Sequence, residues 1–278
     1  MAHCIVPEAE EILDKEFKVL DKGFVRLVDY MGGDARIVQA ARVSYGAGTK
    51  TVREDAGLID YLLRNQHTSP FEQVVLTFHI KLPIFIARQW VRHRTARLNE
   101  ISGRYSVMQN EFYLPADSDG AIQSYDSKQG RTTVAVSQDF VKTTQDLLLK
   151  GQEDAYSTYT QLVESGLARE IARINLPLAL YTEIYWQCDL HNLMHFLKLR
   201  LDSHAQKEIR DYGKVILEIA RKVAPLTIAS FENNIQQGVS FSGEELEALR
   251  DVLAGKENPL SGKKLERFTA KLEQGIQK

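Results

Sequence analysis

Cysteine is scarce in this sequence, which has two cysteines, Cys4 and Cys188, among 278 residues. A pair so far apart gives no disulfide framework of the kind that stabilises small secreted domains. Neither thiol has the cationic, partly exposed surroundings that lower a thiol pKa, although His191 follows shortly after Cys188. We therefore expect two inert thiols in a reducing compartment.

Long apolar runs are lacking as well. No stretch of 18 apolar residues occurs, and the N-terminus carries no apolar leader flanked by positive charge. We therefore expect a soluble protein that is not exported, works in the cytoplasm and has no membrane partner. With 44% hydrophobic residues, the composition still suffices for a sizeable core.

An excess of positive charge is also missing. Lysine and arginine number 35 against 37 aspartates and glutamates, so the formal net charge is −2. A polybasic surface for polymeric nucleic acid is not expected from this balance. Any affinity for anions must come from a local cluster.

Such a cluster occurs within residues 88–104. Only Glu100 opposes its cationic side chains, and such crowding is self-repelling unless an anion neutralises it. Guanidinium groups match phosphate geometry, which favours a nucleotide site over the alternative of a solvated basic face. The positively charged or ionisable members are Arg88, Arg92, His93, Arg94, Arg97 and Arg104.

The order of residues in this cluster is more informative than its charge. The triplet RHR, seven further residues and Ser102, extended through NE and SGRY, resembles the motif of the flavin-dependent thymidylate synthases. The resemblance extends over most of residues 17–231, through HTSPFE, PIFIARQW, REIARINLP, DLHNLMHFLKLR and DSHAQ. Arg97 departs from the commoner pattern of that family, which has a small hydroxyl residue there.

The resemblance implies reductive methylation of dUMP to dTMP. The implied cofactor is FAD, with NADPH and 5,10-methylenetetrahydrofolate as co-substrates, and the implied assembly is a homotetramer with active sites at subunit interfaces. No metal is implied. The sequence has no GxGxxG segment, so phosphates must be bound by side chains and helix ends instead of a Rossmann-type loop.

The matched positions define the expected site. Arg200 is the expected catalytic residue, because a fixed guanidinium beside the uracil imide favours the negative charge that activates the ring. The expected dUMP-binding residues are Gln89, Arg92, Glu100, Ser102, Gly103, Arg104, Arg173 and Arg200. The expected cofactor-binding residues are Ser69, Arg92, His93, Arg94, Glu100, Asp189, His191, His195 and His204, with His67 near the flavin.

Three rival interpretations come from the residues themselves. His191 and His195 have the i, i+4 spacing of zinc-binding helices, but Asn192 stands where HExxH has its glutamate. Ser102 would need an adjacent base to act as a nucleophile, and Glu100 is the nearest candidate. An RNA-binding module would need stacking aromatics among the arginines, which are not interleaved there.

The sequence patterns predict a single α+β domain with a mixed sheet flanked by helices, and long helices in the C-terminal half. Residues 73–82 alternate as a strand, and capped helices are expected after Asp34, Ser69, Asp189 and Ser203. The segment after Arg92 is expected to be a loop, as are residues 116–138. We expect residues 1–240 to form the catalytic domain and 241–278 a charged helical extension.

Overall fold

The computed structural model describes residues 4–43, 52–124, 130–132 and 136–277. Its five strands form one sheet in the order β1-β2-β3-β5-β4. The sheet lies within a single α+β domain, as expected. The strands are β1 (Glu16–Val19), β2 (Gly23–Met31), β3 (Val75–Pro83), β4 (Arg97–Glu100) and β5 (Tyr181–Asp189).

The expectation of a mixed sheet is wrong, because every pair of neighbouring strands in the described sheet is antiparallel. The register shows the reason. Met31 at the end of β2 pairs with Val75 at the start of β3. Pro83 likewise pairs with Tyr181. In each case the segment between the two strands leaves and re-enters the sheet at the same end, so the second strand runs antiparallel to the first. A parallel pair would need a connection that crosses to the opposite end of the strands.

Helices account for most of the remaining described chain. The three longest are α5, α8 and α11, with 27, 17 and 16 residues. All three begin at residue 138 or later, as the expectation of long helices in the C-terminal half requires. No helix among the described residues has the length and apolar character needed to cross a bilayer. The helices are α1 (Pro7–Glu10), α2 (Asp34–Arg42), α3 (Val52–Arg64), α4 (Ile84–Trp90), α5 (Gln138–Glu164), α6 (Arg169–Ala172), α7 (Leu190–Arg200), α8 (Lys207–Val223), α9 (Pro225–Phe231), α10 (Gly243–Leu253) and α11 (Gly262–Gln277).

The main core lies between one face of the sheet and helices α7, α8 and α9. Alternate residues of β3 point into it and are fully buried, while Thr77 and His79 between them are only half-buried on the other face. This confirms the period-two pattern predicted for β3. The largest side chains at the centre of the core include Phe78, Trp90, Trp186, Phe196 and Tyr212.

Strand β4 was expected to be part of a loop. It pairs with β5 along the edge of the sheet, with Arg97 opposite Gln187 and Glu100 opposite Ile184. All four residues of β4 are exposed. A strand this short, without a buried face, has no alternating pattern by which the sequence could show it.

Helix capping follows the prediction at Asp189, whose carboxylate accepts a hydrogen bond from the Asn192 amide at 2.9 Å. The capping boxes expected at Ser69 and Ser203 are wrong. The first segment is a 3₁₀ turn, Phe71–Gln73, without a side-chain cap. Helix α8 begins only at Lys207, without a side-chain cap.

In the expected loop near 116–138, residues 125–129 and 133–135 lie outside the described residues, and the rest contains a 3₁₀ turn at Asp117–Asp119.

Asp34 caps a helix other than its own. It is the first residue of α2, yet its carboxylate accepts hydrogen bonds from the amides of Leu226 and Thr227 at 2.7 and 3.1 Å. The Thr227 hydroxyl adds a third bond at 2.6 Å. These amides belong to the first turn of α9, where a helix has no internal acceptors. Asp34 therefore ties the N-terminal half of the domain to α9.

Replacing this cap should weaken the whole fold. Asp34→Ala should lower the free energy of unfolding by about 1–2 kcal/mol, the usual cost of losing a helix cap. Asp34→Asn, which keeps one acceptor oxygen, should lose less. Urea denaturation followed by circular dichroism measures both. Equal stability of Asp34→Ala and the unaltered protein would show that the cap contributes nothing.

Candidate active site

A cavity of about 280 Å³ lies between the loop that follows α4 and the C-terminal part of α7. It collects several expected site residues that are about 100 positions apart in sequence. Cys188 and Trp186 of β5 form its floor. The polar residues that line it are Arg92, His93, Arg94, Asn192, His195 and Arg200.

Arg200, the last residue of α7, is held in this cavity by two neutral acceptors. Its Nε donates to Nε2 of His93 at 2.8 Å, and its Nη2 donates to the backbone oxygen of Gln89 at 3.1 Å. The Gln89 side chain in turn donates to Gln206 at 2.5 Å. Burial lowers the pKa of Arg200, but a guanidinium stays charged in proteins. Its orientation is thus fixed without neutralising its charge.

His93 is the acceptor that makes this arrangement possible. Burial, and then the positive charge of Arg200 and the nearby His195, lower its pKa to about 4. The ring is therefore neutral at pH 7 and can accept the Arg200 hydrogen bond through Nε2. His93 does not add to the positive charge of the segment, which comes from the arginines.

Arg92 and Arg94 have no carboxylate partner among the described residues. Both are exposed at the mouth of the cavity. Arg97 also has no such partner, and it lies on β4 opposite Gln187, outside the lining of the cavity. These cations have free donors, which fits the predicted affinity for an anionic ligand.

A second cluster lies at the far end of β4. A Cβ atom on Gly103 would meet Cδ of Arg173 at 3.1 Å and Sδ of Met108 at 2.9 Å, so the Arg173 side chain packs directly over the glycine. Arg104 pairs with Glu170 at 3.0 Å on the surface. Arg173 has no carboxylate partner in the described part of the chain.

Among the described residues, no side-chain base is hydrogen-bonded to the Ser102 hydroxyl. Its hydroxyl accepts a long bond, 3.3 Å, from the amide of Arg104. The nearest carboxylate in sequence, Glu100, accepts a hydrogen bond from the buried Thr182 hydroxyl at 2.7 Å. The arrangement supports Ser102 as a hydrogen-bonding group and not as a nucleophile.

The expected dUMP-binding residues are thus divided between two places. Gln89, Arg92 and Arg200 lie at or beside the cavity, whereas Ser102 to Arg104 and Arg173 lie beyond β4. The four residues of β4 span roughly 10 Å at the usual rise of a strand. Within one chain, the lining of the smaller cavity therefore includes Arg92 and Arg200 but not Ser102, Gly103, Arg104 or Arg173.

A larger cavity of about 560 Å³ lies on the other side of α7. His195 lines both cavities, so α7 forms the wall between them. His67 and His191, both expected near the cofactor, line the larger one. Sequence reasoning missed its other polar members Arg64, Lys198, Asn234 and Ser240. Asn234 belongs to a π-helix, Glu232–Gln236, which has no simple sequence signature.

The position of His67 follows from how α3 ends. Gln66 has a φ of 56°, in the left-handed region. The amide of Gln66 donates to Leu63 and that of His67 to Leu62, at 3.1 and 2.9 Å. These two bonds define a Schellman motif. The motif turns the chain so that His67 enters the cavity lining.

Four expected cofactor residues, Ser69, Glu100, Asp189 and His204, line neither cavity. The Asp189 carboxylate is used to cap α7 and also accepts from the Asn192 side chain at 2.7 Å. His204 is 83% exposed and pairs with Asp202 at 2.8 Å. Ser69 is exposed beside the 3₁₀ turn. Asp189 thus lies beside the arginine cavity, next to its lining residues Cys188 and Asn192, whereas Ser69 and His204 line no part of it.

Cys188 lies against the smaller cavity but is only 1% exposed. Burial, with a smaller contribution from the negative charge of Asp189, raises the pKa of its thiol. A thiol that remains protonated is a poor nucleophile. No cluster of three or more His, Cys, Asp or Glu side chains suited to a metal occurs among the described residues.

Comparisons with known proteins identify the family of this chain. A sequence model described as "Thymidylate synthase complementing protein" matches residues 26–226. A second, "Thymidylate synthase ThyX C-terminal domain", matches residues 239–278. The flavin-dependent thymidylate synthase of Treponema denticola is 67% identical over 265 residues, covering 95% of this chain and all of the relative. The chain belongs to the flavin-dependent thymidylate synthases.

One further relative and one solved structure are also similar to this flavin-dependent thymidylate synthase. The enzyme of that name from Treponema pallidum is 58% identical, covering the whole of this chain and 91% of the relative. The crystal structure of PolB from Streptomyces cacaoi, a UMP/dUMP methylase bound with 5-Br dUMP, aligns with a TM-score of 0.71 and 33% identity. That alignment covers 79% of this chain and 99% of PolB.

The residues of this flavin-dependent thymidylate synthase fit an FAD molecule. The two cavities lie on either side of α7 and share His195 in their linings, and their volumes lie near or within the range of typical cofactor sites. The arginines Arg92 and Arg94 have donors free for a pyrophosphate. Histidines and the apolar Phe71 and Met194 line the larger cavity, as a planar ring system requires.

The ionisation of His93 can be tested directly. Folding holds its pKa at about 4, below the ordinary 6.5, so its neutral form stabilises the fold above pH 6.5 and this contribution is lost as pH falls through about 4. In a ¹⁵N NMR titration of histidine side chains, the resonance that is absent from His93→Asn should titrate near pH 4. A midpoint near 6.5 would show that Arg200 is not held by a neutral ring.

Proposed function

We propose that this chain converts dUMP to dTMP by reductive methylation, with 5,10-methylenetetrahydrofolate as the carbon donor and tetrahydrofolate as the second product. FAD, once reduced by NADPH, supplies the hydride. The observation that carries the proposal is Arg200, a charged guanidinium fixed by neutral His93 in a cavity edged by unpaired arginines. The family membership supports the same reaction.

Arg200 has the chemical role of activating the pyrimidine. A guanidinium beside the imide edge of uracil favours negative charge on N3 and the adjacent oxygen, which makes C5 more nucleophilic. Because His93 and the Gln89 carbonyl already fix Arg200, little reorganisation is needed when that charge develops. No cysteine or serine nucleophile is needed in this scheme.

The Gly103 cluster has the role of binding the dUMP phosphate. Arg173 is unpaired and lies over Gly103, where the missing side chain lets the backbone approach a ligand. Arg104 would exchange its exposed pair with Glu170 for the phosphate, an exchange that costs little. Ser102 and Glu100 complete the set as hydrogen-bonding groups, and Arg92 serves both the nucleotide and the flavin.

The flavin is bound by Arg92, His93, Arg94 and His195 around the two cavities, with His191 and His67 beside the larger one. Ser69, Glu100 and His204 line neither cavity within one chain, and Asp189 lies beside the smaller one. They belong to the same cofactor site when subunits combine. In that arrangement, residues from both ends of the exposed strand β4 serve one active site.

We propose a homotetramer with active sites at its interfaces, since the family resemblance implies four subunits and the division of site residues within one chain supports subunit contact. Apolar side chains are exposed beside the Gly103 cluster, where a neighbouring subunit would cover them: Tyr105 is 76%, Ile174 71% and Leu178 58% exposed. Contact with a second chain would also cover the open edge of β4. The assembly works in the cytoplasm.

We further propose that residues 1–240 are the catalytic domain and 241–278 an extension with packing of its own. Phe268 of α11 is 2% exposed and contacts Phe241, with 6.0 Å between ring centroids. Glu245 of α10 pairs with Lys271 of α11 at 2.6 Å. These contacts join the two helices of the extension to each other.

Arg200→Ala should abolish most dTMP formation and leave the flavin bound. Loss of one such preorganised group costs on the order of 100- to 1,000-fold in rate. The protein should stay yellow, since FAD binding rests on other residues. Arg250→Ala, an exposed arginine of α10, is the control and should keep full activity. Near-normal turnover of Arg200→Ala at saturating dUMP would overturn the assignment of Arg200.

Arg97→Ser should weaken the binding of FAD or dUMP and flatten its dependence on salt. Arg97 is an additional unpaired cation in an already positive segment, so a ligand phosphate is its natural partner. An exposed contact of this kind contributes up to about fivefold in affinity and is screened at high salt. Titrations of both ligands at low and high salt measure it. Unchanged affinities would show that Arg97 is simply solvated.

A further inference from the structure

The larger cavity is bounded on two sides by segments far apart in sequence. One is the end of α3 with the turn after it, which contributes Leu62, Arg64 and His67. The other runs from the π-helix Glu232–Gln236 to Ser240. The motifs that resemble the family include His67 of the first segment and no residue of the second. Because both segments line one cavity, its shape depends on the contacts that join the second segment to the first.

The second segment has an unusual and tightly constrained backbone. A π-helical turn is wider than an α-helical one and often occurs at functional sites. Directly after it, the chain folds back on itself. A Cβ atom on Gly238 would lie 2.2 Å from the backbone oxygen of Asn234, so only glycine fits at this position. Asn234 and Gly238 both line the cavity.

Asp60 of α3 joins the two segments. Its Oδ1 accepts hydrogen bonds from Asn234 Nδ2 at 2.7 Å and from the Ser230 hydroxyl at 3.0 Å. Its Oδ2 accepts from Arg64 Nε at 2.8 Å. The hydrogen bond from Asn234 is the main reason that the pKa of Asp60 is below its usual range. Asp60 is therefore ionised, and its hydrogen bonds are charge-assisted.

These contacts also determine which way the Asn234 amide faces. An ionised carboxylate can only accept hydrogen bonds, so it must face the NH₂ group of Asn234. That NH₂ group also donates to the Ser230 backbone oxygen at 3.0 Å. Asn234 Oδ1 has no donor partner among the described residues. The cavity wall thus contains an oriented amide whose acceptor oxygen is free.

We propose that Asn234 accepts a hydrogen bond from an N–H group of the bound flavin nucleotide, and that Asp60 is the residue that positions it. The ligand class rests on the proposed function. Flavin nucleotides carry N–H donors on both the isoalloxazine ring and the adenine, and the cavity is lined by histidines and apolar groups suited to either ring. Asp60 touches no ligand and acts through Asn234.

The test is a double-mutant cycle on FAD binding, measured by flavin fluorescence as FAD is titrated into the flavin-depleted full-length protein. Asn234→Ala and Asp60→Asn should each raise the dissociation constant about 3- to 10-fold, the range for one hydrogen bond. Adding Asp60→Asn to Asn234→Ala should change it less than twofold further. Asp251→Asn is the control and should bind FAD normally, because Asp251 is a half-buried aspartate of α10 that pairs with Lys256, outside both cavities.

Three other results would each contradict a different part of the proposal. Unchanged FAD affinity in Asn234→Ala would overturn the proposed contact. Additive losses in the double variant would show that Asp60 acts through general stability and not through Asn234. If Asp60→Asn does not fold, Asn234→Ala alone still tests the acceptor, because it removes the proposed hydrogen bond and leaves Asp60 in place. Failure of the unaltered protein to bind FAD would instead refute the proposed function.

Discussion

The positive charge around Arg200 is the constraint on which this structure depends. Arg92 and Arg94 have no carboxylate partners among the described residues, and Arg200 is held by a neutral imidazole and a carbonyl. Like charges this close repel one another unless an anion binds. An internal carboxylate would relieve the repulsion but would also cancel the field that a nucleotide phosphate and an ionising pyrimidine require. In this account, the negative charge of the bound ligands neutralises the arginines.

Helix α7 arranges this charge in space. Asp189 at the end of β5 caps it, which fixes its direction relative to the sheet. His195 on its side lines both cavities, and Arg200 at its end enters the smaller one. The cationic end of the helix is also where its dipole favours positive charge. One short helix thus relates the proposed nucleotide and flavin positions.

Sequence reasoning predicted the features that depend on neighbours in the chain. The alternation of β3 and the cap at Asp189 are local, and both were confirmed. Features that depend on distant contacts were missed. The neutrality of His93 results from burial beside Arg200, 107 positions away. Asp34 caps a helix 192 positions further on, instead of its own. The exposed strand β4 and the π-helix wall have no periodicity that could have indicated them.

The central claim is that the chain's residues orient a hydride-supplying flavin and an activated pyrimidine, without a covalent protein nucleophile. A single-turnover experiment tests it most directly. The protein is reduced with NADPH under anaerobic conditions and then mixed with dUMP and 5,10-methylenetetrahydrofolate. The account predicts one dTMP and one tetrahydrofolate for each flavin reoxidised, followed by absorbance and quenched product analysis. Formation of dTMP without flavin reoxidation, or with dihydrofolate as the product, would contradict it.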